Sequence, residues 1–577
     1  MNNCGHKSHN IIIFLTIFLI VVSVSHLHQV YASDHSIETL FGFNTYGVFT
    51  INKDGIELVE LNDEPTYVRN LNWGSDLDVI QPKSNAGPDQ NVGPESIVTL
   101  DGTGSIGGNP LTYVWTQKFG PTVTLDTKIP SNPTFNLPGN IATETLLIFE
   151  LVVIDENGHK SKPSTTNIIV CSSAFPCTDT DGDSLYDIWE TNGIDINNDG
   201  ITDLVLPGAN PDRKDIFVEA DYMQTTVLDS PLWGSWNHKP SQNAINSIIN
   251  AFANGDVQNH VSHLKGINLQ IDVNEAIKYY PTIVFGPVVT NADNDFWKIK
   301  NGIPNDGTKS GDCDGTFGNF MERNRPYPDC HWTLEAKQRV FHYVIFAHEL
   351  DGSVYNAKGI AELGGNDIVI AENDWVDKSI DTTQKLGGYD RASSGNFMHE
   401  LGHNLGLLHG GKDNINCKPN YFSVMNRLYN FPIYDTNAPL DYARGITKEN
   451  PNPPPPLDES DLSEINPIPY SQNRIVLYGD NNGDFIKKAG VTNSDIDWNQ
   501  NGKPKDIGVY SDVNNIIWQI DESPNCNDSK VIQNFPRTGY VEMGEQGIQI
   551  LKAQNDWQNL EYNFRKLADY PNSNLDQ

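Results

Sequence analysis

The apolar positions of this chain form one continuous run near the N-terminus and shorter, interrupted runs elsewhere. The continuous run extends from Ile11 to Val24, follows Lys7 and is followed by the small residue Ala32. This arrangement predicts a secretory signal peptide, residues 1–32, rather than a membrane anchor, because a span needs roughly 20 apolar residues. We therefore expect a secreted, extracellular chain without a stable membrane span after cleavage.

Residues 84–170 contain short runs in which apolar and polar residues alternate, separated by clusters of Gly, Pro, Asn and Asp. The runs are SIVTLDG, LTYVWTQ and TLLIFELVVIDENG. A period of two between turn residues predicts an antiparallel β-sandwich. The preceding segment, residues 33–83, contains strand-like runs such as GVFTI but indicates no particular function.

Strand-like and helix-like runs alternate between residues 212 and 445. DIFVEA and NDIVIAE are strand-like, whereas SQNAINSIINAFAN and SGNFMHELGHNLGLL are helix-like. This mixture predicts an α+β domain. The pattern of residues 446–577 predicts a loop-rich extension. Near its end, the segment DWQNLEYNFRKLA, residues 556–568, predicts an amphipathic helix that closes the domain.

Charge and cysteine content add two constraints. The formal net charge of −35 argues against a nucleic-acid partner, since phosphates bind Lys and Arg, and suits calcium sites or a solvated acidic surface. Excluding Cys4, six of the seven cysteines remain, and an even number favours disulfides in an exported chain. Pairing by proximity gives Cys171–Cys177, Cys313–Cys330 and Cys417–Cys526, although sequence leaves the connectivity open.

The segment HELGHNLGLLHGG, residues 399–411, carries a metal-binding pattern. His399 and His403 are four residues apart and lie on one face of a helix, where both imidazoles can bind one zinc ion. A catalytic zinc needs a third protein ligand, and His409 would point away if the helix continued. Gly406 can adopt positive φ, so we predict that the chain turns there and brings His409 to the metal.

Glu400 is predicted to be a general base rather than a ligand. It can take a proton from a zinc-bound water that attacks a carbonyl polarised by the metal, which is the chemistry of peptide hydrolysis. The alternative is a set of surface histidines on an amphipathic helix. Apolar neighbours such as Phe397 and Leu401 argue against it, because they would bury the helix and unpaired buried charges are costly.

With this motif the chain resembles the metzincin zinc endopeptidases, whose pattern is HExxHxxGxxH followed by a methionine turn. All fixed positions match, at His399, Glu400, His403, Gly406 and His409. YFSVMN, which contains Met425, resembles the methionine turn, although Met425 alone would also suit an ordinary core.

The resemblance implies a five-stranded N-terminal subdomain that contains the two-histidine helix, and a smaller C-terminal subdomain. It also implies that the strand before the helix pairs with extended substrate, for which Asn366–Glu372 is the candidate. An internal core strand is the alternative for that segment. The chain departs from the pattern at Arg427, where some metzincins have a tyrosine that can approach the zinc, and Tyr429 and Tyr442 are weak substitutes.

The predicted sandwich resembles the polycystic-kidney-disease (PKD) type of immunoglobulin-like domain. NAGPDQ opens the segment, LDGTGS follows its first strand, LTYVWTQ contains Trp115, and LVVIDENG closes the last hairpin. The resemblance covers nearly all of residues 84–170 and implies a spacer or adhesion module, or simply a folding unit.

Two acidic loops follow, within residues 171–211, and have the spacing of calcium ligands. The first has carboxylates at positions 1, 3, 5, 9 and 12 of DTDGDSLYDIWE, namely Asp179, Asp181, Asp183, Asp187 and Glu190. Ser184 stands where an EF-hand has glycine, so the loop resembles a thrombospondin-type loop more closely. The second loop offers Asp195, Asn197, Asp199 and Asp203.

A weaker third copy of the acidic pattern lies in DIDWNQNGKPKD, with Asp497, Asn499, Asn501 and Asp506. This copy contains two lysines, whereas the alternative for the first two loops is a flexible acidic linker.

Together these patterns predict a multidomain chain in which an N-terminal Ig-like β-sandwich precedes an α+β metzincin-like zinc protease domain. The predicted segments are 1–32 signal peptide, 33–83 unassigned, 84–170 sandwich, 171–211 calcium loops, 212–445 catalytic domain and 446–577 extension. The expected cofactors are zinc and calcium and the expected partner is a protein or peptide substrate, with no prediction of oligomeric state.

Two other functions remain open at this point. One is a calcium-stabilised extracellular binding or adhesion protein with a vestigial protease domain, and the other is a zinc enzyme for a non-peptide amide or ester. The intact Glu400 and the complete ligand set favour a secreted zinc endopeptidase.

Overall fold

The computed structural model forms two compact units, residues 1–80 and 81–577. The described residues are 48–52 and 55–59, for their backbone, and 82, 84–93, 95–107, 110–137, 145–156, 158–161, 164–171, 177–197, 199–226, 228, 235–285, 293–302, 313–351, 358–372, 388–413, 415–430, 438–445, 454–470, 473–479, 485–503, 505–514 and 550–564. The predicted signal peptide lies outside them. None of the helices in these ranges is both long and apolar enough to cross a membrane.

In the described residues of the first unit, β1 (Val48–Asn52) pairs with β2 (Gly55–Val59) as an antiparallel hairpin. The second unit begins with a two-sheet sandwich. Its strands are β3 (Gln90–Val92), β4 (Ile97–Thr99), β5 (Thr112–Phe119), β6 (Thr134–Asn136), β7 (Thr145–Ile154) and β8 (Ser164–Val170).

The larger sheet of the sandwich has the order β3-β8-β7-β5, and β4 pairs with β6 in the smaller sheet. All pairs are antiparallel except β3 and β8. Val98, Phe135, Phe149 and Ile168 are buried in its core, and Trp115 packs against it half-buried. The alternation of apolar and polar residues therefore produces the predicted Ig-like β-sandwich.

The acidic segment connects the sandwich to the α+β region and contains the short helix α1 (Asp187–Asn192). Trp189 of α1 belongs to the same buried cluster as Leu146 and Ile169 of the sandwich and Phe217 of the following sheet. The Tyr186 hydroxyl donates to Asn91 Oδ1 at 2.7 Å. The segment is thus packed on both sides, which differs from a flexible linker.

The α+β region is built on a five-stranded sheet of order β10-β9-β11-β13-β12. The first four strands are parallel and β12 is antiparallel to β13. The strands are β9 (Asp215–Gln224), β10 (Asn268–Lys278), β11 (Phe341–Ala347), β12 (Gly359–Ala361) and β13 (Asp367–Ala371). The helices described in this region are α2 (Gln242–Ala253), α3 (Phe296–Asn301), α4 (Phe320–Arg323), α5 (Asp329–Gln338) and α6 (Tyr389–Asn404).

The prediction that Asn366–Glu372 is the strand facing substrate is wrong. This segment forms β13, which lies between β11 and β12 and is buried along its whole length. Its continuous apolar run is typical of an internal parallel strand. The edge strand on this side of the sheet is β12, whose three residues give too short a pattern to be recognised in the sequence, and β10 forms the opposite edge.

Helix α6 packs on one face of this sheet. Phe397, Met398 and Leu401 are fully buried against a cluster that includes Val344 of β11 and Ile368 of β13. Burial on one side by the sheet and on the other by later segments explains why nearly the entire helix is inaccessible to solvent.

The described residues after 445 form three small antiparallel pairs. These are β14 (Leu457–Asp458) with β19 (Ile550–Leu551), β15 (Leu462–Ser463) with β18 (Ile507–Val509), and β16 (Ile475–Gly479) with β17 (Phe485–Val491). Trp498 and Val476 share a buried core with Phe422 and Leu428 of the methionine-turn region. The extension is therefore packed onto that region.

The predicted closing helix is wrong within the described residues. Asp556–Gln558 form a single 3₁₀ turn, and residues 559–563 are not helical. Trp557 and Leu560 are buried next to Phe252 of α2, whereas Asp556 is fully buried by polar contacts. We call residues 550–564 the C-terminal strap.

The predicted disulfides Cys171–Cys177 and Cys313–Cys330 are present. Cys417 is also disulfide-bonded. Its predicted partner, Cys526, lies outside the described residues.

Candidate metal centre

Three histidines converge at the C-terminal end of α6. The ring centroids of His399 and His403 are 4.8 Å apart, and that of His409 lies 5.2 and 4.9 Å from them. One nitrogen atom from each of the three rings can be chosen so that the three nitrogens lie within 4.8 Å of one another. His399 and His409 are buried, and burial lowers the pKa of both well below the usual range, so both imidazoles are neutral near pH 7.

The turn at Gly406 brings His409 to the other two rings. Gly406 has φ of +82°, and its N–H donates to the His403 carbonyl at 3.0 Å. The Leu407 N–H reaches back to the Gly402 carbonyl at 2.9 Å, which completes a Schellman motif after α6. The sequence-based prediction that the chain reverses at this glycine agrees with this geometry.

Two of the rings are oriented by main-chain carbonyls. His399 Nδ1 lies 2.7 Å from the Val424 oxygen, and His403 Nδ1 lies 2.7 Å from the Leu407 oxygen. A carbonyl can only accept, so each Nδ1 carries the proton and each Nε2 keeps a free lone pair. Three imidazoles that converge through one ring nitrogen each are the donor set that zinc prefers in catalytic sites.

Glu400 is buried beside the histidines. Burial raises the pKa of its carboxyl to about 8, and the Arg427 guanidinium opposes that shift. A side-chain carbon on Gly359 of the edge strand would lie 2.6 Å from the Glu400 carboxylate. Glycine at 359 therefore leaves the space that Glu400 occupies.

Met425 lies directly beneath α6. A side-chain carbon on Gly402 would be 2.3 Å from the Met425 sulfur, so only glycine permits this approach. The hydroxyls of Tyr442 and Tyr429 donate to the Met398 and Pro419 carbonyls, respectively. Neither hydroxyl is thus directed to the histidines.

The C-terminal strap holds the loop that contains Met425. Asp556 Oδ2 accepts hydrogen bonds from the Ser423 hydroxyl at 2.6 Å, the Tyr421 hydroxyl at 2.8 Å and the Ala443 N–H at 2.9 Å. The Ser423 oxygen in turn accepts from the Met425 N–H at 3.1 Å. Burial raises the pKa of Asp556 to about 6.

Asp556→Ala is expected to lower the free energy of unfolding on the order of 3 kcal/mol, because it leaves three donors without their acceptor. Zinc affinity should fall with it, since Val424, which orients His399, belongs to the loosened loop. Urea unfolding and zinc competition measure the two effects. Gln558→Ala, on the exposed side of the strap, is the matched control, and equal behaviour of both variants would contradict this role of Asp556.

A second group of carboxylates gathers around the first acidic loop. Oxygens of Asp179, Asp181 and Asp183 lie within 4.8 Å of one another, as do those of Asp183, Glu190 and Asp215. Burial and neighbouring carboxylates raise the pKa of Glu190 to about 9, and burial raises the pKa of Asp215 to about 6.

Asp187 is not part of these groups, because its two oxygens accept from the N–H and hydroxyl of Thr180. Ser184 adopts φ of +73°, the conformation for which an EF-hand uses glycine. The backbone of Ser184 is therefore strained in order to adopt the conformation that glycine provides in an EF-hand.

The second and third acidic loops share the turn geometry of the first. The residue at position 5, Asp199 or Asn501, donates its N–H to the side chain at position 1, as Asp183 does to Asp179. In the second loop, Asp203 accepts from the Ile196 N–H, and Asn197 Nδ2 donates to Asp199. In the described part of these loops, neither brings three carboxylates as close together as the first loop does.

The three comparisons with known proteins concern mainly the sandwich. A family model that describes a PKD domain matches residues 86–170, whereas no curated protein matches the chain. Among solved structures, the PKD domain from KIAA 1837 protein is 27% identical, with 17% of this chain and 92% of that chain covered and a TM-score of 0.14.

Two further structures were matched with lower identity. A nucleoside hydrolase-related hypothetical protein from Saccharophagus degradans is 17% identical, covering 16% of this chain and 25% of that chain, with a TM-score of 0.13. A sialyltransferase from Photobacterium damsela is 11% identical, covering 49% of this chain and 38% of that chain, with a TM-score of 0.13. These TM-scores carry no structural argument. Because the family model spans the two-sheet sandwich, residues 86–170 are a PKD domain.

Proposed function

We propose that this chain is a secreted zinc endopeptidase of the metzincin type. The observation that carries the proposal is the convergence of three imidazoles, delivered by α6 and the Gly406 turn, on the helix that also carries the buried Glu400. The five-stranded sheet and the position of Met425 beneath Gly402 support the same assignment.

The three histidines are the residues that would hold the metal, through the Nε2 atoms of His399 and His403 and a ring nitrogen of His409. Bound zinc supplies Lewis acidity, which polarises a substrate carbonyl and lowers the pKa of water toward about 7. The Val424 and Leu407 carbonyls keep two of the rings oriented, so little reorganisation is needed when the metal enters.

Glu400 accepts the proton of the attacking water and returns it to the leaving amine. Burial raises the pKa of this carboxyl to about 8, and the positive charge of Arg427 only partly restores the ionised form that a base requires. Zinc held by the three histidines would favour the ionised form of Glu400 further.

The edge strand β12 is the proposed binding site for the substrate backbone. In the described part of the chain, β12 pairs only with β13, so its outer edge can pair with an extended peptide. Gly359 at its start adjoins Glu400, which places a peptide on this edge near the base.

Gly359→Ala is expected to lower kcat by about 10²-fold, because the new methyl group displaces Glu400 from its position. Zinc content should stay at the wild-type value, since no ligand is touched. Gly93→Ala in the PKD domain is the control, as its methyl group would lie 3.7 Å from the nearest side-chain atom. An unchanged kcat in Gly359→Ala would show that Glu400 is not positioned by this strand.

Secretion is supported by the predicted signal peptide and by the disulfides, which form in oxidising compartments. The PKD domain would also suit the alternative of an extracellular binding protein with an inactive protease domain. The intact Glu400 beside a complete histidine set favours the peptidase.

Casein digestion by the purified mature chain tests the proposal and separates the two functions. With calcium in excess, the peptidase should cleave casein and should stop when 1,10-phenanthroline removes the zinc. A binding protein would leave casein intact under both conditions, and that result would overturn the proposed activity.

A further inference from the structure

Three buried carboxylates from three different elements meet where the acidic segment joins the five-stranded sheet. Asp183 belongs to the first acidic loop, Glu190 to α1, and Asp215 is the first residue of β9. Their side-chain oxygens lie within 4.8 Å of one another, and their residues are only 3%, 7% and 3% exposed. Asp215 lies outside the loop motif and could not be assigned to it from the sequence.

These carboxylates lack the partners that buried charges require. Both oxygens of Glu190 are inaccessible and have no hydrogen-bond partner, and the same holds for Asp181 Oδ2. Asp183 and Asp215 use their oxygens mainly for main-chain N–H groups, including the Asp215 N–H that donates to Asp183 Oδ2 at 2.6 Å.

Lysine does not neutralise the group. Lys214 donates to the main-chain oxygen of Asp181 rather than to a carboxylate. Within the described ranges, no salt bridge joins a lysine or arginine to Asp183, Glu190 or Asp215. The positive charges of Arg213 and Lys214 lower the pKa of Asp215 and Asp181, respectively, but burial outweighs them and raises both. The leading influences on Glu190 all raise its pKa, so a cation at the centre of the group is the simplest way to stabilise it.

The oxygen-only donor set identifies the type of cation. Calcium takes six to eight oxygens at about 2.3–2.6 Å, so two of its ligand oxygens can lie up to about 5 Å apart. The separations within this group meet that condition. We propose that the first acidic loop binds a calcium ion for which Asp215 of the sheet, together with Asp183 and Glu190, is a ligand.

A ligand from β9 changes what the ion does. A loop that supplied all the ligands would fold locally, whereas this ion would tie the acidic segment to the first strand of the sheet that carries α6. The segment is already attached to the PKD domain through Tyr186 and Asn91. Calcium would therefore fix the junction between the PKD domain and the sheet, independently of the zinc chemistry proposed above.

Isothermal titration of the full, zinc-loaded chain with calcium chloride tests this assignment. Asp215→Asn is expected to lower the affinity of the tightest calcium site by about tenfold or more, because it removes a charged ligand. Asp212→Asn is the matched control, since it removes the same charge three residues away without belonging to the group. The calcium-induced rise in melting temperature should shrink in Asp215→Asn and persist in the control.

Glu190→Gln gives a second measurement, in case Asp215→Asn folds poorly. Loss of calcium affinity in both Glu190→Gln and Asp215→Asn supports the shared site. If both folded variants bind calcium as the wild type does, or if the wild type binds none, the assignment is overturned. Zinc content and casein cleavage in the same samples report on the peptidase separately.

Discussion

Glu400→Gln is expected to retain zinc and to lower casein cleavage by about 10²- to 10⁴-fold, the usual contribution of a general base. The amide has the size of the carboxylate, so the three histidines keep their positions. It cannot accept the proton of the attacking water, so chemistry is lost while the metal site survives. Metal analysis and the rate of casein cleavage, measured on the same sample, separate the two effects.

Glu561→Gln is the control for this substitution. Glu561 is an exposed glutamate whose side chain lies close to Gly406, so the change removes one carboxylate near the site without touching the base. We expect near wild-type cleavage. Full activity in Glu400→Gln would contradict its role as base, and loss of zinc would show that Glu400 is structural.

Gly406→Val is expected to abolish stable zinc binding although residue 406 is not a ligand. A β-branched residue is strained at φ of +82°, and its first carbon would lie 3.0 Å from the Glu561 side chain. The chain must then leave the Schellman turn, which carries His409 away from His399 and His403. Zinc content at limiting metal, together with the melting temperature, measures the effect.

Gly388→Val separates backbone strain from damage to the site. Gly388 has φ of +91° at the other end of the same helix, and a side-chain carbon there would meet no atom within 4 Å. We expect a loss of stability but wild-type zinc affinity in this variant. Equal zinc affinity in Gly406→Val and the wild type would refute the role of the glycine turn.

The sequence predicted the features that depend on residues close together in the chain. The spacing of His399 and His403 implies one helix face, and Gly406 is the residue at which the helix must end if His409 is to reach them. The sandwich followed from alternation within short strands. In each case the interaction that decides the structure lies within about one helical or strand repeat.

The features that escaped prediction depend on contacts between distant segments. Asp556 binds Ser423 across 133 residues, and Asp215 binds Asp183 across 32 residues. Asp556, Trp557 and Leu560 follow a pattern that suits an amphipathic helix, yet Asp556 is buried by polar contacts and the other two by apolar contacts, while Gln558 and Glu561 remain exposed. Tertiary burial thus overrides the local preference that predicted a helix.

The prediction named the internal strand β13 as the edge strand for a similar reason. β13 has five buried residues, whereas β12 has three residues and is only partly buried. The longer apolar run of β13 was therefore the one that the sequence pattern identified as a strand. Which strand is at the edge depends on pairing order, and sequence spacing does not encode it.

The central claim is that one zinc ion held by the three histidines enables this chain to cleave peptide bonds. The most direct measurement is casein cleavage by chain stripped of zinc and titrated with zinc chloride in constant calcium. The account predicts activity that rises in proportion to added zinc and levels off at about one equivalent per chain, in keeping with a single three-histidine site. A chain that binds its equivalent of zinc but cleaves no casein at any point of the titration would contradict it.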